Sequence, residues 1–159
     1  SMTGWRIGYA GGPAELIKAM AKIQSQSTTN PSSISQAAAV EALSGDQSFI
    51  KVRSDAFKER RNFVVTELNR IKGIECLNPQ GAFYVFPSCK NYLGKVHSDF
   101  GNIKTDTDFV SMLLESTGVA VVQGSAFGLE GFFRISYATS MKNLEKAVKR
   151  ISEFCSKLS

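Results

Sequence analysis

Residues 74–87 read IECLNPQGAFYVFP, and the fold class is decided in this stretch. Before it, residues 47–72 contain no glycine or proline and place apolar residues at helical spacing, which predicts one long helix. Within it, two short apolar runs flank the turn-forming residues 78–81. The pattern therefore changes from helical periodicity to short β-strands, and we predict strands at 74–77 and 82–87.

The rest of the chain adds two helices and two more strands. Thr105 and Asp108 are spaced as a capping box at the start of one helix, and Ser140 can cap the last one. Further strands are predicted at 119–122 and 132–137. The order strand, strand, helix, strand, strand, helix predicts an α+β unit, in which the helices pack on one face of a short β-sheet.

The residues before the long helix form a separate unit. They open with MTGWRIGYAGG at residues 2–12, where 5–9 predicts a short buried strand, and two helices are predicted within residues 13–44. One strand and two helices are a poor core by themselves. We therefore predict that residues 1–46 are the edge of a larger domain whose remainder is missing, with a domain boundary near the start of the long helix.

The composition is that of a soluble globular protein, with 43% hydrophobic and 21% charged residues. No apolar run has the length of a membrane-spanning helix, so no membrane partner is expected.

The net charge of +5 permits an anionic ligand and is weak evidence for nucleic acid. His97 is the only histidine, which argues against histidine metal sites and Ser-His-Asp catalysis. Three widely spaced cysteines indicate free thiols in a reducing, cytoplasmic compartment: Cys76, Cys89 and Cys155.

Two arginines stand out as candidate binding residues. Arg134 lies in an apolar strand and shares a face with Phe132 and Ser136. It is either an edge arginine paired with a nearby acid or a receptor for a carboxylate. Arg6 lies among glycines, and it is either a surface residue on a turn or an anchor for a phosphate.

Glycine-rich segments and a cysteine supply weaker candidates. Gly81 marks either a tight hairpin turn or a place where backbone comes close to a ligand. The loop GSAFG at residues 124–128 lacks the Gly-Lys-Ser/Thr ending of a P-loop. Cys89 has no activating histidine that the sequence can show, so an inert thiol is expected.

Three stretches together resemble a known family. TGWRIGY at residues 3–9, QGAFY at 80–84 and FRISYA at 133–138 resemble, in this order and at similar separations, motifs of the class I, fold-type I pyridoxal-phosphate-dependent aminotransferases. Within that family, the resemblance is greatest to aspartate aminotransferases of the bacterial kind, and QSQSTTNPS at 24–32 is also similar to that group. The resemblance covers essentially the whole chain and implies the C-terminal portion of such an enzyme.

The resemblance implies a role for each candidate. Arg6 matches the arginine that holds the phosphate of pyridoxal 5'-phosphate, and Arg134 matches the arginine that binds the α-carboxylate of the substrate. The loop 25–31 matches a segment that approaches the cofactor of the neighbouring subunit. Residues 1–46 match the C-terminal end of the large, cofactor-binding domain, and residues 47–159 match the long connecting helix and the small C-terminal domain. The parent protein is thus expected to be a cytoplasmic, homodimeric transaminase of amino-acid metabolism, with amino acids and 2-oxoacids as partners and no nucleic acid.

The expected transaminase activity depends on a lysine that lies outside this sequence. In the family, the Schiff-base lysine lies a few residues before the Thr-Gly-Trp-Arg motif, and here the sequence starts at Ser1. We therefore expect no catalytic residue within the chain and no activity from the chain alone. Two alternatives remain open: another fold-type I enzyme, such as a β-lyase or an aminocyclopropane-carboxylate synthase, and a non-enzymatic basic interaction module.

Overall fold

The structure is a computed structural model that describes residues 2–159. The chain divides into two compact units, with the boundary after Ile50. The first unit contains a 3-10 turn at Thr3–Trp5, helix α1 at Ala14–Gln26 and helix α2 at Ser33–Ser44. Helix α3, Ser48–Asn69, leads into the second unit, which holds all of the β-strands assigned within residues 2–159.

Local signals explain where the two helices of the first unit begin and end. Helix α1 starts after Pro13, whose fixed φ suits a first turn and whose carbonyl accepts a hydrogen bond from the Ile17 N–H at 3.0 Å. Helix α2 ends at Gly45, whose N–H donates to the Glu41 carbonyl at 2.8 Å. Both helices predicted within residues 13–44 are therefore confirmed.

The predicted buried strand at 5–9 is wrong. Residues 3–5 form a 3-10 turn, and Arg6 adopts a left-handed conformation with φ of 51°. Tyr9 is 85% exposed. Residues 2–50 contain no β-strand, so the backbone groups of a strand here would have no partner strand for their hydrogen bonds.

The second unit is built from a small antiparallel sheet, a separate strand pair and three helices. The order of the three-stranded sheet is β1-β5-β4, and β2 and β3 form a separate two-stranded sheet. The elements of this unit after α3 are, in chain order, β1 (Tyr84–Val85), β2 (Val96–His97), β3 (Gly101–Asn102), α4 (Asp106–Thr117), β4 (Val122–Gln123), β5 (Phe133–Ser136) and α5 (Met141–Ser156).

Alternation along β5 separates the core from the opposite face of the sheet. Phe133 and Ile135 are buried, whereas Arg134 is half-buried and Ser136 is exposed. The core that receives the two buried side chains also takes its members from all three helices of the unit. The α+β prediction is therefore confirmed. The most deeply buried helical members are Val64 and Leu68 of α3, Phe109 and Leu113 of α4, and Ile151 and Phe154 of α5.

The strand predictions were less accurate than the helix predictions. Residues 74–77 form no strand and make one isolated bridge, from Glu75 to Ser88. The Asn69 side chain takes the place of a strand neighbour, since it accepts from the Cys76 N–H at 2.9 Å and donates to the Cys76 carbonyl at 2.8 Å. The irregular stretch 88–104 contains the β2–β3 pair, which its glycines and polar residues had concealed.

The capping box at the start of α4 is confirmed. The Thr105 hydroxyl accepts from the Asp108 N–H at 3.1 Å, and the Asp108 carboxylate accepts from the Thr105 N–H at 2.9 Å. The helix ends at Gly118, which has φ of 71° and donates to the Leu114 carbonyl. Two N–H groups at the helix start thus find hydrogen-bond acceptors, and they belong to the two residues that the sequence predicted as a capping box.

We expect Thr105→Ala to lower the free energy of unfolding by about 1 kcal/mol at neutral pH, measured by urea unfolding. Hydrogen bonding to Thr105 holds the pKa of Asp108 below its ordinary value. The contribution of Asp108 is therefore present above the pKa of the unfolded state and is lost as the pH falls through the lower folded-state pKa. The difference between the wild type and Thr105→Ala should shrink over that acid range. Thr107→Ala, an exposed residue in the same turn, is the control and should change little.

Candidate functional site

Arg134 lies on the face of the sheet that points away from the core. Its strand, β5, is central, so the interpretation of an edge arginine is wrong. Val122 of β4 is its cross-strand partner, and Tyr84 of β1 lies opposite Ser136. Because cross-strand partners and residues two apart share a face, the two neighbouring strands flank Arg134 from both sides.

Two aromatic rings hold the Arg134 guanidinium. Its Cζ lies 4.4 Å from the ring centre of Tyr84 and 4.3 Å from the ring centre of Phe127. Both distances are well within the range of a cation–π contact. The ring of Phe127 in turn packs edge-on against Phe86, with centroids 6.0 Å apart. The guanidinium is therefore oriented by its faces, and its N–H edges are left for other partners.

Within residues 2–159, no carboxylate and no hydrogen-bond acceptor engages the Arg134 guanidinium. The ion pairs Lys51–Asp55, Arg70–Glu67 and Lys149–Glu153 do not involve it. The half-buried guanidinium offers five N–H donors, and these are open to water and to a ligand. Arg134 is therefore available to bind a planar anion such as a carboxylate.

The loop around Gly81 is tied to the strand that carries Arg134. The Tyr137 hydroxyl donates to the Ala82 carbonyl at 2.9 Å, and the Tyr137 N–H donates to the Phe83 carbonyl at 2.9 Å. Ala82 has φ of 57°, a conformation that residues with a Cβ rarely adopt. The second and third of the resembling motifs therefore meet through Tyr137.

Arg6 lines a groove of about 790 Å³ within the first unit. Its guanidinium donates to the Thr3 carbonyl at 3.0 Å, and it forms no ion pair with any acid among residues 2–159. Gln24 and Thr28 add neutral polar groups to the lining. A cation with free donors and no competing carboxylate suits a phosphate, so these residues fit the phosphate of the implied cofactor.

The motifs that carry the family resemblance also contain non-glycine residues with positive φ. The non-glycine residues with positive φ among residues 2–159 are Arg6, Thr29 and Ala82, with φ of 51°, 65° and 57°. Each lies within a different stretch that carries the family resemblance. Such conformations cost free energy and gather at functional sites.

The three cysteines are buried and free. Burial, reinforced by the Asp106 carboxylate, raises the pKa of Cys89 to about 12, and burial raises the pKa of both Cys76 and Cys155 to about 11. We expect none of them to react readily with a disulfide reagent at pH 8 while the chain is folded, because the thiolate is the reactive form. All three should react in denaturant. One thiol that reacts rapidly in the folded chain would contradict this expectation.

Residues 2–159 offer neither a cluster of metal ligands nor a membrane-spanning helix. No group of three or more histidine, cysteine, aspartate or glutamate side chains could hold a metal ion there. None of the helices in that part of the chain is both long enough and apolar enough to span a membrane.

Comparison with known proteins gives consistent matches. The family model for aminotransferase class I and II matches residues 1–151. The aspartate aminotransferase of Rhizobium meliloti (strain 1021) is 60% identical over 159 residues, which are 100% of this chain and 39% of that protein. The probable aspartate/prephenate aminotransferase of Rhizobium leguminosarum bv. phaseoli is 60% identical over 155 residues, which are 98% of this chain and 39% of that protein.

Solved structures of aspartate aminotransferases also match this chain. The crystal structure of the aspartate aminotransferase from Rhizobium meliloti matches with a TM-score of 0.85 at 61% identity, over 99% of this chain and 40% of that one. The Thermus thermophilus aspartate aminotransferase with maleate matches with a TM-score of 0.75 at 41% identity, over 96% and 38%. The chain thus spans about two fifths of the length of the relatives it matches.

Proposed function

Because this chain belongs to the aminotransferase class I and II family, we propose that it is the C-terminal part of an enzyme that exchanges amino groups between aspartate and a 2-oxoacid. The names of its relatives support aspartate as the amino donor. The chain spans 39% of those relatives, so the activity belongs to the full-length protein.

The observation that carries the proposal is the unpaired guanidinium of Arg134 between the rings of Tyr84 and Phe127. Amino acids and 2-oxoacids share one group, the carboxylate next to the reacting carbon. A fixed guanidinium binds that carboxylate through two parallel hydrogen bonds and so fixes the orientation of the reacting carbon. Arg134 thus serves both halves of the exchange.

Arg6 has the complementary role towards the cofactor. Pyridoxal 5'-phosphate, when bound, supplies the electron sink for amino-group transfer. Arg6 holds the phosphate of that group by charge and hydrogen bonds, with Gln24 and Thr28 nearby as neutral polar groups. This role, like that of Arg134, is part of the proposal.

We also propose an assembly state and a cellular location for the full-length protein. The full-length protein is a homodimer in which the loop 25–31 approaches the partner's cofactor, as the family resemblance implies. The exposed apolar side chains of α1 and α2 support a covered surface in the whole protein, and they include Ile23, Ile34, Val40 and Leu43. The three free cysteines support a reducing, cytoplasmic location.

Prephenate is a second candidate substrate, as the amino acceptor. Several relatives are named aspartate/prephenate aminotransferases. Beside Arg134, the rings of Phe127, Phe86 and Phe132 form an apolar surface, with Phe86 and Phe132 stacked at 5.8 Å. Such a surface is suited to a ring-containing acid.

The test is turnover by the full-length protein loaded with pyridoxal 5'-phosphate. With aspartate and 2-oxoglutarate we expect oxaloacetate and glutamate in equal amounts. Prephenate in place of 2-oxoglutarate tests the second candidate. Release of ammonia from a thioether amino acid would favour a β-lyase, and salt-dependent binding to RNA or DNA without any turnover would favour the basic interaction module.

Arg6 is tested through cofactor affinity. We expect Arg6→Gln to raise the Kd for pyridoxal 5'-phosphate about 10- to 100-fold, because one charged hydrogen-bonding partner of the phosphate is removed. Absorbance titration of the full-length apoprotein measures this Kd. Lys18→Gln removes a cation from α1 outside the groove and should leave the Kd unchanged. Equal affinities for the wild type and Arg6→Gln would remove Arg6 from the cofactor site.

A further inference from the structure

The ring of Phe127 depends on a short loop for its place over Arg134. The loop is the single 3-10 turn Gly124–Phe127, and the Phe127 side chain is 48% exposed. Solvent therefore covers much of the ring, and core packing does not fix it by itself. Something in the loop must hold the ring 4.3 Å from the guanidinium.

The two ends of the loop are held by backbone. The Gly124 N–H donates to the Phe132 carbonyl at 2.7 Å, and the Leu129 N–H donates to the Gly124 carbonyl at 3.1 Å. A Cβ on Gly124 would lie 2.3 Å from the Leu129 carbonyl oxygen, so only glycine fits there. Gly128 closes the turn with φ of 77°.

The middle of the loop is held by a side chain from another element. The Asp106 carboxylate, at the first position of α4, accepts a hydrogen bond from the Ser125 N–H at 2.7 Å. Asp106 is only 2% exposed. Burying a carboxylate is costly unless it is hydrogen-bonded, and the positive end of the helix offsets part of that cost.

Asp106 is not needed to cap its own helix. Thr105 and Asp108 already form a capping box at the start of α4, in which each side chain accepts from the other residue's N–H. The buried carboxylate of Asp106 instead reaches across 19 residues of sequence to the loop. Its position is therefore explained by the loop and not by the helix.

We propose that Asp106 is a positioning residue for Arg134: through Ser125 it holds the loop that keeps the Phe127 ring against the guanidinium. The inference rests on the proposed role of Arg134 as the carboxylate receptor. Without the Asp106 carboxylate, the Ser125 N–H loses its acceptor, the turn loosens and Phe127 leaves one face of the guanidinium. Arg134 then keeps the ring of Tyr84 alone and samples more orientations, so it binds carboxylates less tightly.

The first readout is spectroscopic, on the full-length protein with ¹⁵N-labelled arginine. A ring above the guanidinium shields its Nε–H proton. We expect Asp106→Ala to move the Arg134 Nε–H resonance downfield by nearly as much as Phe127→Leu, which removes the ring. Asp106→Asn should leave it in place, because the amide oxygen still accepts from Ser125.

The second readout is kinetic. We expect Asp106→Ala and Phe127→Leu each to raise the KM for aspartate about 5- to 30-fold, the range that corresponds to one lost ring contact, with a smaller change in kcat. Asp106→Asn should keep the wild-type KM. Asp108→Asn is the matched control: it weakens the capping box of the same helix and should move neither the resonance nor the KM.

Ser125→Pro removes the same hydrogen bond from the other side, since proline has no N–H. It replaces Asp106→Ala if that variant does not fold. A folded Asp106→Ala or Ser125→Pro with the wild-type resonance and the wild-type KM would overturn the proposal. If no variant, the wild type included, transfers amino groups, the proposed function fails, while the resonance still decides whether Asp106 positions Arg134.

Discussion

Replacement of Arg134 by alanine is expected to lower kcat/KM for aspartate about 10²- to 10³-fold in the full-length protein. The substitution removes the charged donors that the α-carboxylate would meet, and truncating one partner of a desolvated charge pair costs about 2–5 kcal/mol. Steady-state kinetics with aspartate and 2-oxoglutarate measures the loss. Both substrates should be affected, because each carries the same carboxylate.

Two further variants serve as controls: one keeps the positive charge at position 134 without the planar guanidinium, and the other removes an arginine elsewhere. Arg134→Lys keeps a cation but not the planar guanidinium, so we expect it to recover only a small part of the lost activity. Arg60→Ala removes another arginine that lies over a ring, with Cζ 5.3 Å from the centroid of Phe57, and should change kcat/KM little. Equal losses in Arg60→Ala and Arg134→Ala would contradict the assigned role.

Phe109→Ala is expected to lower the free energy of unfolding by about 3–5 kcal/mol, the cost of a large cavity in a well-packed core. Phe109 is fully buried on α4. Its ring centre lies 5.2 Å from that of Phe133, 5.4 Å from that of Phe154 and 5.8 Å from that of Tyr92. The ring thus joins α4 to β5 and to α5, and its loss affects all three. Urea unfolding followed by circular dichroism measures the change.

Leu114→Ala is the matched control for the core. Leu114 lies on the same helix but is 45% exposed, so its truncation leaves little cavity. We expect a loss below about 1 kcal/mol. If Phe109→Ala unfolds at the same urea concentration as Leu114→Ala, the aromatic cluster is not the centre of the second unit.

Helices were predictable from sequence because their signals are local. Thr105 and Asp108 lie three residues apart, and the Ser140 side chain accepts from the Asn143 N–H, as predicted for a cap. Gly118 ends α4 in the left-handed conformation that glycine tolerates. Each of these contacts is made within one turn of the chain, so the spacing of residue types is enough to reveal it.

Strands were harder to predict, since a strand exists only when another segment pairs with it. Residues 5–9 have suitable side chains for a strand but no partner within the first unit. Residues 96–102 look irregular, yet Val96 pairs with Asn102 and closes a small strand pair. Composition does not show which segment pairs with a strand, because strand pairing depends on the tertiary structure.

The candidate site was predictable in part. Alternation along the strand correctly placed Arg134 on the same face as Ser136, and the structure adds that this face points away from the core. The two rings that hold the guanidinium and the carboxylate that holds the loop were missed. Asp106 and Ser125 are 19 residues apart, and no periodic pattern joins a helix start to a loop. The GSAFG sequence of the loop was the available signal, because its glycines indicate a tight turn that presents Phe127.

The central claim is that Arg134 recognises the α-carboxylate, and substrate and enzyme variants together test it most directly. Aspartate and its α-amide, which lacks only that charge, are compared in the full-length wild type and in Arg134→Ala. The wild type should prefer aspartate by about 10²-fold or more in kcat/KM, and Arg134→Ala should retain less than about a fivefold preference. An undiminished preference for aspartate in Arg134→Ala would contradict the claim.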